Sequence, residues 1–154
     1  MYVGGMEGFI SCLYFEIPPH LYGKEIESAR LILYKYPVYE PYRPGFDAAY
    51  QRGGPYDAAR GWCPVNVTVS PLLEFFSKYS PCFSIPQADC GSTVISPVDE
   101  CLCYTEIDIS RTAERWIRHT LDNRGLLIAG CCPGRMVCYA SEKDPDKGLR
   151  PVIR

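Results

Sequence analysis

The chain contains few histidines, and it lacks the motifs of the large enzyme families. Two histidines occur in 154 residues, His20 and His119, and neither adjoins a nucleophile motif. No GxSxG, HExxH, P-loop or dinucleotide-binding fingerprint occurs. No apolar run approaches the ~18 residues of a membrane span. We therefore expect a non-enzymatic protein with no cofactor and no membrane span.

Charge of either sign is also modest. The formal net charge is −2, with 22% charged residues against 47% hydrophobic residues. This composition is typical of a globular protein and excludes a disordered acidic tail or a polybasic nucleic-acid binder. A chain of 154 residues is long enough for one domain with a full hydrophobic core.

The acidic residues form small clusters that are more typical of solvated turns than of acid–base pairs. These clusters are Asp99-Glu100, Glu106 with Asp108, and Glu142 with Asp144 and Asp146. The pair Asp144-x-Asp146 lacks the glycine and the distant glutamate of a calcium-binding loop. We expect no metal site there.

What the chain does contain is nine cysteines, twelve tyrosines and fourteen prolines, a bias towards strands and loops. Alternation with period two predicts half-buried strands over residues 9–17 and 26–36. In the first, the shared face holds Phe9, Leu13, Phe15 and Ile17; in the second, it holds Ala29, Leu31 and Leu33. Further strands are predicted over 65–69, 102–109, 126–129, 136–140 and 151–153, with a brief helical turn over 71–78.

Helical spacing of Ala113, Trp116 and Leu121 predicts one short helix over about 110–121, with Ser110 as its N-cap. Asn123 and Gly125 are predicted to end it. Two long irregular insertions are predicted, at about 37–62 and 80–100. Many strands, long loops and one helix indicate an all-β fold, a jelly-roll β-sandwich in a single domain over 1–154.

An ordered set of motifs runs along both halves of the chain. They are Leu13-x-Phe15-x-Ile17, Ile26-x-Ser28-Ala29-x-Leu31-x-Leu33-Tyr34, Ile107-Asp108-Ile109-Ser110 with Trp116, Asn123-x-Gly125-Leu126-Leu127-Ile128, Val137-x-Tyr139-x-Ser141-Glu142 and Arg150-Pro151. Together they resemble the DNRLRE domain family, jelly-roll modules of bacterial surface and secreted proteins that are related to one class of carbohydrate-binding modules. The resemblance covers residues 1–35 and 105–154, and it implies a non-catalytic protein. In the middle of the chain only Trp62 and Thr68 match the family pattern.

The family domain normally begins with a strand before the glycine-rich turn, whereas this chain starts at that turn, at Val3-Gly4. A missing first strand would leave an unpaired edge for a neighbouring subunit or for the long loops to cover. The alternatives are a trimmed chain or a strand formed by residues 2–6. The first residues have no basic or apolar signal region, so we expect no signal peptide in this chain.

The odd number of cysteines leaves at least one free, bound to metal or bridged to another chain. Zinc binding is disfavoured, because neither Cys101-x-Cys103 nor the adjacent Cys131-Cys132 has the usual ligand spacing. Burial as small hydrophobic residues accounts for some cysteines. If Leu13 and Phe15 face the core, strand alternation turns Cys12 outward, and it turns Cys138 outward in the same way. All nine are cross-link candidates: Cys12, Cys63, Cys82, Cys90, Cys101, Cys103, Cys131, Cys132 and Cys138.

The first insertion is rich in aromatic and basic residues, which suit an interface or a sugar-binding platform as well as simple loop packing. Its candidates are Tyr39, Tyr42, Arg43, Tyr50, Arg52, Tyr56, Arg60 and Trp62.

These features together predict a structural subunit of a bacterial extracellular or spore-surface layer or filament. Copies of the chain would associate through strand edges and aromatic contacts and be stabilised by disulfides. The alternative is a carbohydrate-binding or adhesive module for a cell-wall or acidic polysaccharide.

Overall fold

The structure is a computed structural model that describes residues 1–4, 10–35, 66–76, 85–99, 101–130 and 136–154. Within these ranges the chain forms nine β-strands and one α-helix. The strands are β1 (Tyr2–Gly4), β2 (Ile10–Leu13), β3 (Arg30–Tyr34), β4 (Asn66–Pro71), β5 (Val94–Pro97), β6 (Tyr104–Asp108), β7 (Leu126–Gly130), β8 (Met136–Cys138) and β9 (Val152–Ile153). The helix is α1 (Ser110–Ile117), and short 3₁₀ turns occur at Pro19–Leu21, Cys90–Ser92 and Lys147–Leu149.

The strands pair antiparallel in three sheets. One sheet has four strands in the order β2-β7-β4-β5, the second has three in the order β6-β3-β9, and the third pairs β1 with β8. The pair continues the three-stranded sheet, because Lys35 bridges Tyr139 just beyond the ends of β3 and β8. The all-β class predicted from the sequence is confirmed.

The sheets contribute their alternating apolar faces to one hydrophobic core. On β3, Leu31 and Leu33 are fully buried, and Ala29 precedes them on the same face, as the period-two pattern predicts. After β2 the alternation continues without pairing: Tyr14 is exposed, while Phe15 and Ile17 pack against the core. Hydrophobic periodicity thus identified one buried face of these segments, but β3 is not half-buried as predicted, because Ile32 on its other face is also buried.

Strands β1 and β7 lie in close contact, and this contact depends on glycine. A Cβ atom built on Gly130 would lie 2.5 Å from the Cα of Gly4. Gly4 itself has a φ of 87°, a left-handed conformation that glycine adopts without strain. The two backbones can therefore approach as closely as they do only because Gly130 carries no side chain.

The helix differs from its predicted form at both ends. It ends at Ile117 rather than near residue 121, because His119 takes a left-handed φ of 56° well before Asn123 and Gly125. Ser110 is the first helical residue and Ile109 the N-cap. The Ser110 hydroxyl donates to Asp108 Oδ1 (2.6 Å) and accepts from the Ala29 amide (2.9 Å), so it ties the helix start to the strand ends instead of capping the helix.

Three other predictions need revision. The prediction of an irregular insertion over 80–100 is wrong in its second part, because Val94–Pro97 forms strand β5 and pairs with β4. The prediction of a helical turn over 71–78 is wrong for residues 71–76, because Pro71 ends β4 and Leu72 forms a β-bridge with Ala88. Tyr2–Gly4 forms a strand, as one of the alternatives had it, so β8 has a partner within the chain.

Candidate functional site

Helix α1 lies across one end of both large sheets, which we call the helix end. Its start is bonded to Ala29, next to β3. Near its other end, Arg115 forms an ion pair of 2.6 Å with Asp89, whose amide donates to the carbonyl of Pro71 at the end of β4. The helix end therefore includes the segment that leads into β5.

The opposite end of the fold, which we call the turn end, is formed where β5 passes to β6. Strand β5 starts beside the helix end and runs away from it to Pro97, and the next strand along the chain, β6, belongs to the three-stranded sheet. The crossing is anchored by the Lys35 amide, which donates to the carbonyl of Cys103 at 2.8 Å. The carboxylate of Asp99 accepts from the amide of Cys101, also at 2.8 Å.

Cys90 is exposed at the helix end, in a turn held by the Asp89 carboxylate. That carboxylate accepts hydrogen bonds from the Gly91 amide (3.0 Å), the Ser92 hydroxyl (2.9 Å) and the Arg115 guanidinium. These bonds, the one from Arg115 above all, hold the pKa of Asp89 below its usual value. The Cys90 thiol lies 3.8 Å from the carbonyl oxygen of Ala88, so it is directed towards the residue that bridges Leu72.

Two more exposed cysteines, Cys101 and Cys103, lie at the turn end. Leu102 between them is 45% exposed, which leaves an apolar side chain in solvent flanked by two thiols. The turn end thus presents Cys-Leu-Cys as a continuous exposed tripeptide.

The two cysteines that strand alternation turns outward are less accessible than these three. Cys12 and Cys138 are each half-buried. Burial raises the pKa of the Cys12 thiol to about 11, which keeps it protonated and weakly nucleophilic at neutral pH. All five cysteines in the described part of the chain are free thiols.

A pocket of about 310 Å³ opens at the helix end. Its lining combines the start of the segment after β4 with the chain that follows α1: Leu72, Leu73, His119, Thr120, Leu121, Asp122 and Arg124. Large exposed apolar side chains occur around it, at Leu73, Phe75 and Phe76. The Arg124 guanidinium lies 5.0 Å from the ring centroid of Phe75, and Tyr22 stacks on His119 with ring centroids 4.6 Å apart.

Sequence reasoning did not identify this surface. The signal for this surface in the sequence was the consecutive pair Phe75 and Phe76. The pair lay within the predicted helical turn, in which part of it would be buried. In the structure, residues 73–76 follow the end of β4 without helical bonds, and both rings are exposed.

The remaining candidates lie outside the described residues. They are Tyr39, Tyr42, Arg43, Tyr50, Arg52, Tyr56, Arg60, Trp62, Cys63, Cys82, Cys131 and Cys132. Within the described ranges, no group of three or more histidine, cysteine or acidic side chains is placed to hold a metal ion. No helix in that part of the chain is long and apolar enough to cross a membrane.

The acidic residues Asp144 and Asp146 stabilise a turn through hydrogen bonds to backbone amides. Asp144 is buried and accepts from the Asp146 amide at 3.0 Å, and Asp146 in turn accepts from the Gly148 amide at 2.8 Å. These bonds give the carboxylates a local structural role at the 3₁₀ turn before β9.

No protein-family model matches the chain, and a search of curated proteins finds no significant match.

Proposed function

We propose that this chain is a non-enzymatic structural subunit of an extracellular or spore-surface layer or filament. Copies associate through apolar, aromatic and strand-edge contacts and are joined by disulfides. The observation that supports this proposal is the presence of exposed free thiols at opposite ends of the fold, Cys90 at one and Cys101 and Cys103 at the other.

Geometry prevents these two groups from bridging within one copy. The four residues of β5 lie between them, and at ~3.3 Å per residue that strand alone spans about 13 Å. A disulfide requires Cα atoms within about 7 Å of each other. In an oxidising environment, a bond between the two ends therefore needs a second copy.

We infer further that the sheets form the jelly-roll sandwich of the DNRLRE-like modules. The support is that the four-stranded sheet and the three-stranded sheet, extended by β1 and β8, bury their apolar faces in one core. Such modules normally lie within long surface proteins, which is the basis for an external location.

Oligomer analysis under controlled redox conditions tests the proposal. The reduced protein is transferred to buffer containing glutathione disulfide and then examined by non-reducing and reducing electrophoresis, with electron microscopy of the undenatured sample. We expect a ladder of oligomers that collapses to monomer on reduction, and ordered assemblies in the micrographs. A product that stays monomeric contradicts the proposal, and binding of that monomer to a glycan array would favour the polysaccharide-binding alternative.

A further inference from the structure

We propose that Cys101 and Cys103 form a dithiol–disulfide exchange site. A small-molecule disulfide oxidises the two thiols to an internal disulfide, and thiols reopen it. This activity goes beyond the proposed function, because it needs only one copy of the chain. The observation that carries it is a pair of exposed free thiols on either side of Leu102, in a turn that is anchored at both ends.

The separation of the two cysteines fits a disulfide. Residues two apart in a fully extended strand have Cα atoms about 6.8 Å apart. Residues 101–103 form a turn, which is shorter than a strand, and β6 begins only at Tyr104. A disulfide spans Cα separations of about 4.4–6.8 Å. The bond between Cys101 and Cys103 therefore requires no displacement of the strands.

The turn is held on both sides by Lys35 and Asp99. The Lys35 amide donates to the carbonyl of Cys103 at 2.8 Å, and its ammonium group donates to the carbonyl of Asp99. The Asp99 carboxylate accepts from the amide of Cys101 at 2.8 Å. The backbone on either side of the two thiols is thus fixed before they react, which reduces the conformational entropy lost on ring closure.

Both thiols are accessible to reagents in solution. Cys101 and Cys103 are exposed, and so is Leu102 between them. Ring closure therefore leaves the packing of the hydrophobic core unchanged. Exposed disulfides are easily reduced and commonly have catalytic or regulatory roles, whereas structural disulfides resist reduction. These features favour reversible exchange over a permanent structural bond.

The other cysteines in the described part of the chain are arranged differently. Cys90 lies at the opposite end of the fold. Cys12 is half-buried and stands opposite Leu127 in the strand register. Cys138 is also half-buried and stands opposite Tyr2. Among the described cysteines, the turn-end pair alone combines proximity along the chain with exposure.

Proximity favours the internal bond over a bond to another molecule. Two groups joined by a short linker have an effective concentration on the order of millimolar. Protein at micromolar concentration offers far fewer thiols to each cysteine. The internal disulfide therefore forms first in dilute protein, and a cross-link through the turn end arises when a thiolate of another chain opens it.

The oxidation is a two-stage exchange with the small disulfide. The thiolate of Cys101 or Cys103 attacks one sulfur of the small disulfide, which forms a mixed disulfide and releases one small thiolate. The other protein thiolate then attacks the protein sulfur of the mixed disulfide and releases the second small thiolate. The protein loses two electrons and two protons, and the small disulfide gains both as it becomes two small thiols.

Peptide mapping of the oxidised protein tests the pairing. The reduced chain is exposed to glutathione disulfide, remaining thiols are blocked with N-ethylmaleimide, and the protein is cleaved after glutamate at mildly acidic pH. Cleavage after Glu100 and Glu106 gives a peptide 101–106 that contains just these two cysteines. We expect this peptide to be lighter than the dithiol by two hydrogens, and to carry neither glutathione nor maleimide.

Variants with one cysteine replaced trap the intermediate. In Cys101→Ser and in Cys103→Ser the remaining thiol has no neighbour, so we expect peptide 101–106 to keep one glutathione as a mixed disulfide. Cys90→Ser is the matched control, because it also removes one exposed thiol and should leave the internal disulfide unchanged. All three positions are exposed, so each variant should unfold at the same urea concentration as the unmodified chain.

A comparison of the folded and the unfolded chain tests the role of the turn. The equilibrium constant for the internal disulfide is measured against glutathione in native buffer and in urea. We expect it to be roughly tenfold larger in the folded chain, the factor that corresponds to fixing the backbone of one residue before ring closure. Asp99→Ala removes the acceptor of the Cys101 amide and should lose part of this advantage, whereas Asp99→Asn keeps an oxygen acceptor and should retain it.

The outcomes distinguish this inference from the proposed function. A peptide 101–106 that carries two glutathiones, or that is linked to another peptide instead of closing on itself, would overturn the exchange site. Equal equilibrium constants in the folded and the unfolded chain would overturn the role of the turn. An internal disulfide in a protein that never forms oligomers would support this inference and overturn the proposed function. Oligomers that form without any internal disulfide would do the reverse.

Discussion

At the scale of single residues, Gly125 is a position where the fold does not accommodate a side chain. Its φ is 101°, and a Cβ there would lie 2.5 Å from the carbonyl oxygen of Leu13. We expect Gly125→Ala to destabilise the fold by at least about 2 kcal/mol, because backbone strain and a backbone clash act together. The free energy of unfolding in urea measures this loss.

Gly23→Ala is the control for conformation alone. Gly23 has a φ of 72°, but nothing lies within 4 Å of the position of its Cβ. We expect a loss of about 1 kcal/mol, the cost of the left-handed conformation without a clash. Equal losses at the two positions would contradict the role given to the Leu13 carbonyl.

Tyr139 carries a buried hydroxyl, which is 2.9 Å from the hydroxyl of Thr105. Tyr139→Phe leaves the Thr105 hydroxyl buried without that partner, and we expect it to destabilise the protein by about 1–2 kcal/mol. Adding Thr105→Val removes the buried hydroxyl that has lost its partner and should recover part of the lost stability. A double variant less stable than the single one would contradict this explanation.

The same tyrosine makes stability sensitive to alkaline pH. Burial raises the pKa of Tyr139 from 10.0 to about 12, so between these values the unfolded chain loses its proton first. Stability from this group is complete below pH 10 and falls as the pH rises to 12. We therefore expect the difference in unfolding free energy between the unmodified chain and Tyr139→Phe to shrink across this interval.

At the scale of elements, the contact between α1 and the Cys90 turn depends on the ion pair of Asp89 with Arg115. Because the folded pKa of Asp89 is held below 3.8, its contribution is present above that pH and is lost as the pH falls through the lowered value. We expect Asp89→Asn to be less stable than the unmodified chain at neutral pH, and we expect this difference in stability to disappear in acid. Urea unfolding midpoints between pH 5 and pH 2.5 measure the difference.

Asp122→Asn is the matched control for the removal of a charge. The Asp122 side chain is 77% exposed and pairs with Arg124 at 3.0 Å. Exposed ion pairs contribute little to stability, so its unfolding midpoint should follow that of the unmodified chain across the same pH range. A gap for Asp89→Asn that stayed constant in acid would exclude the ion pair as its source.

The strands and the helix also show which features local sequence patterns predict and which they do not. Alternation identified the buried faces of β3 and of the segment from Leu13 to Ile17, because side-chain period is a local property of an extended chain. The end of α1 was misplaced, since His119 breaks the helix in a left-handed conformation that residue type alone does not favour. Strand β5 was missed because Val94–Pro97 is short and its pairing with β4 is non-local.

At the scale of the whole molecule, the five cysteines in the described part of the chain form no disulfide. Cys90, Cys101 and Cys103 are exposed and free, so replacing all three with serine should change the unfolding free energy of the reduced monomer by less than about 0.5 kcal/mol. Urea unfolding in reducing buffer measures this. A large loss would mean that these thiols support the fold rather than links between copies.

The sequence by itself determined the all-β class, the buried strand faces and the inventory of thiols, because composition and local periodicity specify these directly. It turned attention to Cys12 and Cys138, which alternation directs away from the core. Only the tertiary structure decided which thiols are exposed and where. The pairing of β5 with β4 and the return of the chain through β6 to α1 place Cys90 at one end and Cys101 and Cys103 at the other. Exposure and position at an end follow from contacts between distant segments, which no local pattern encodes.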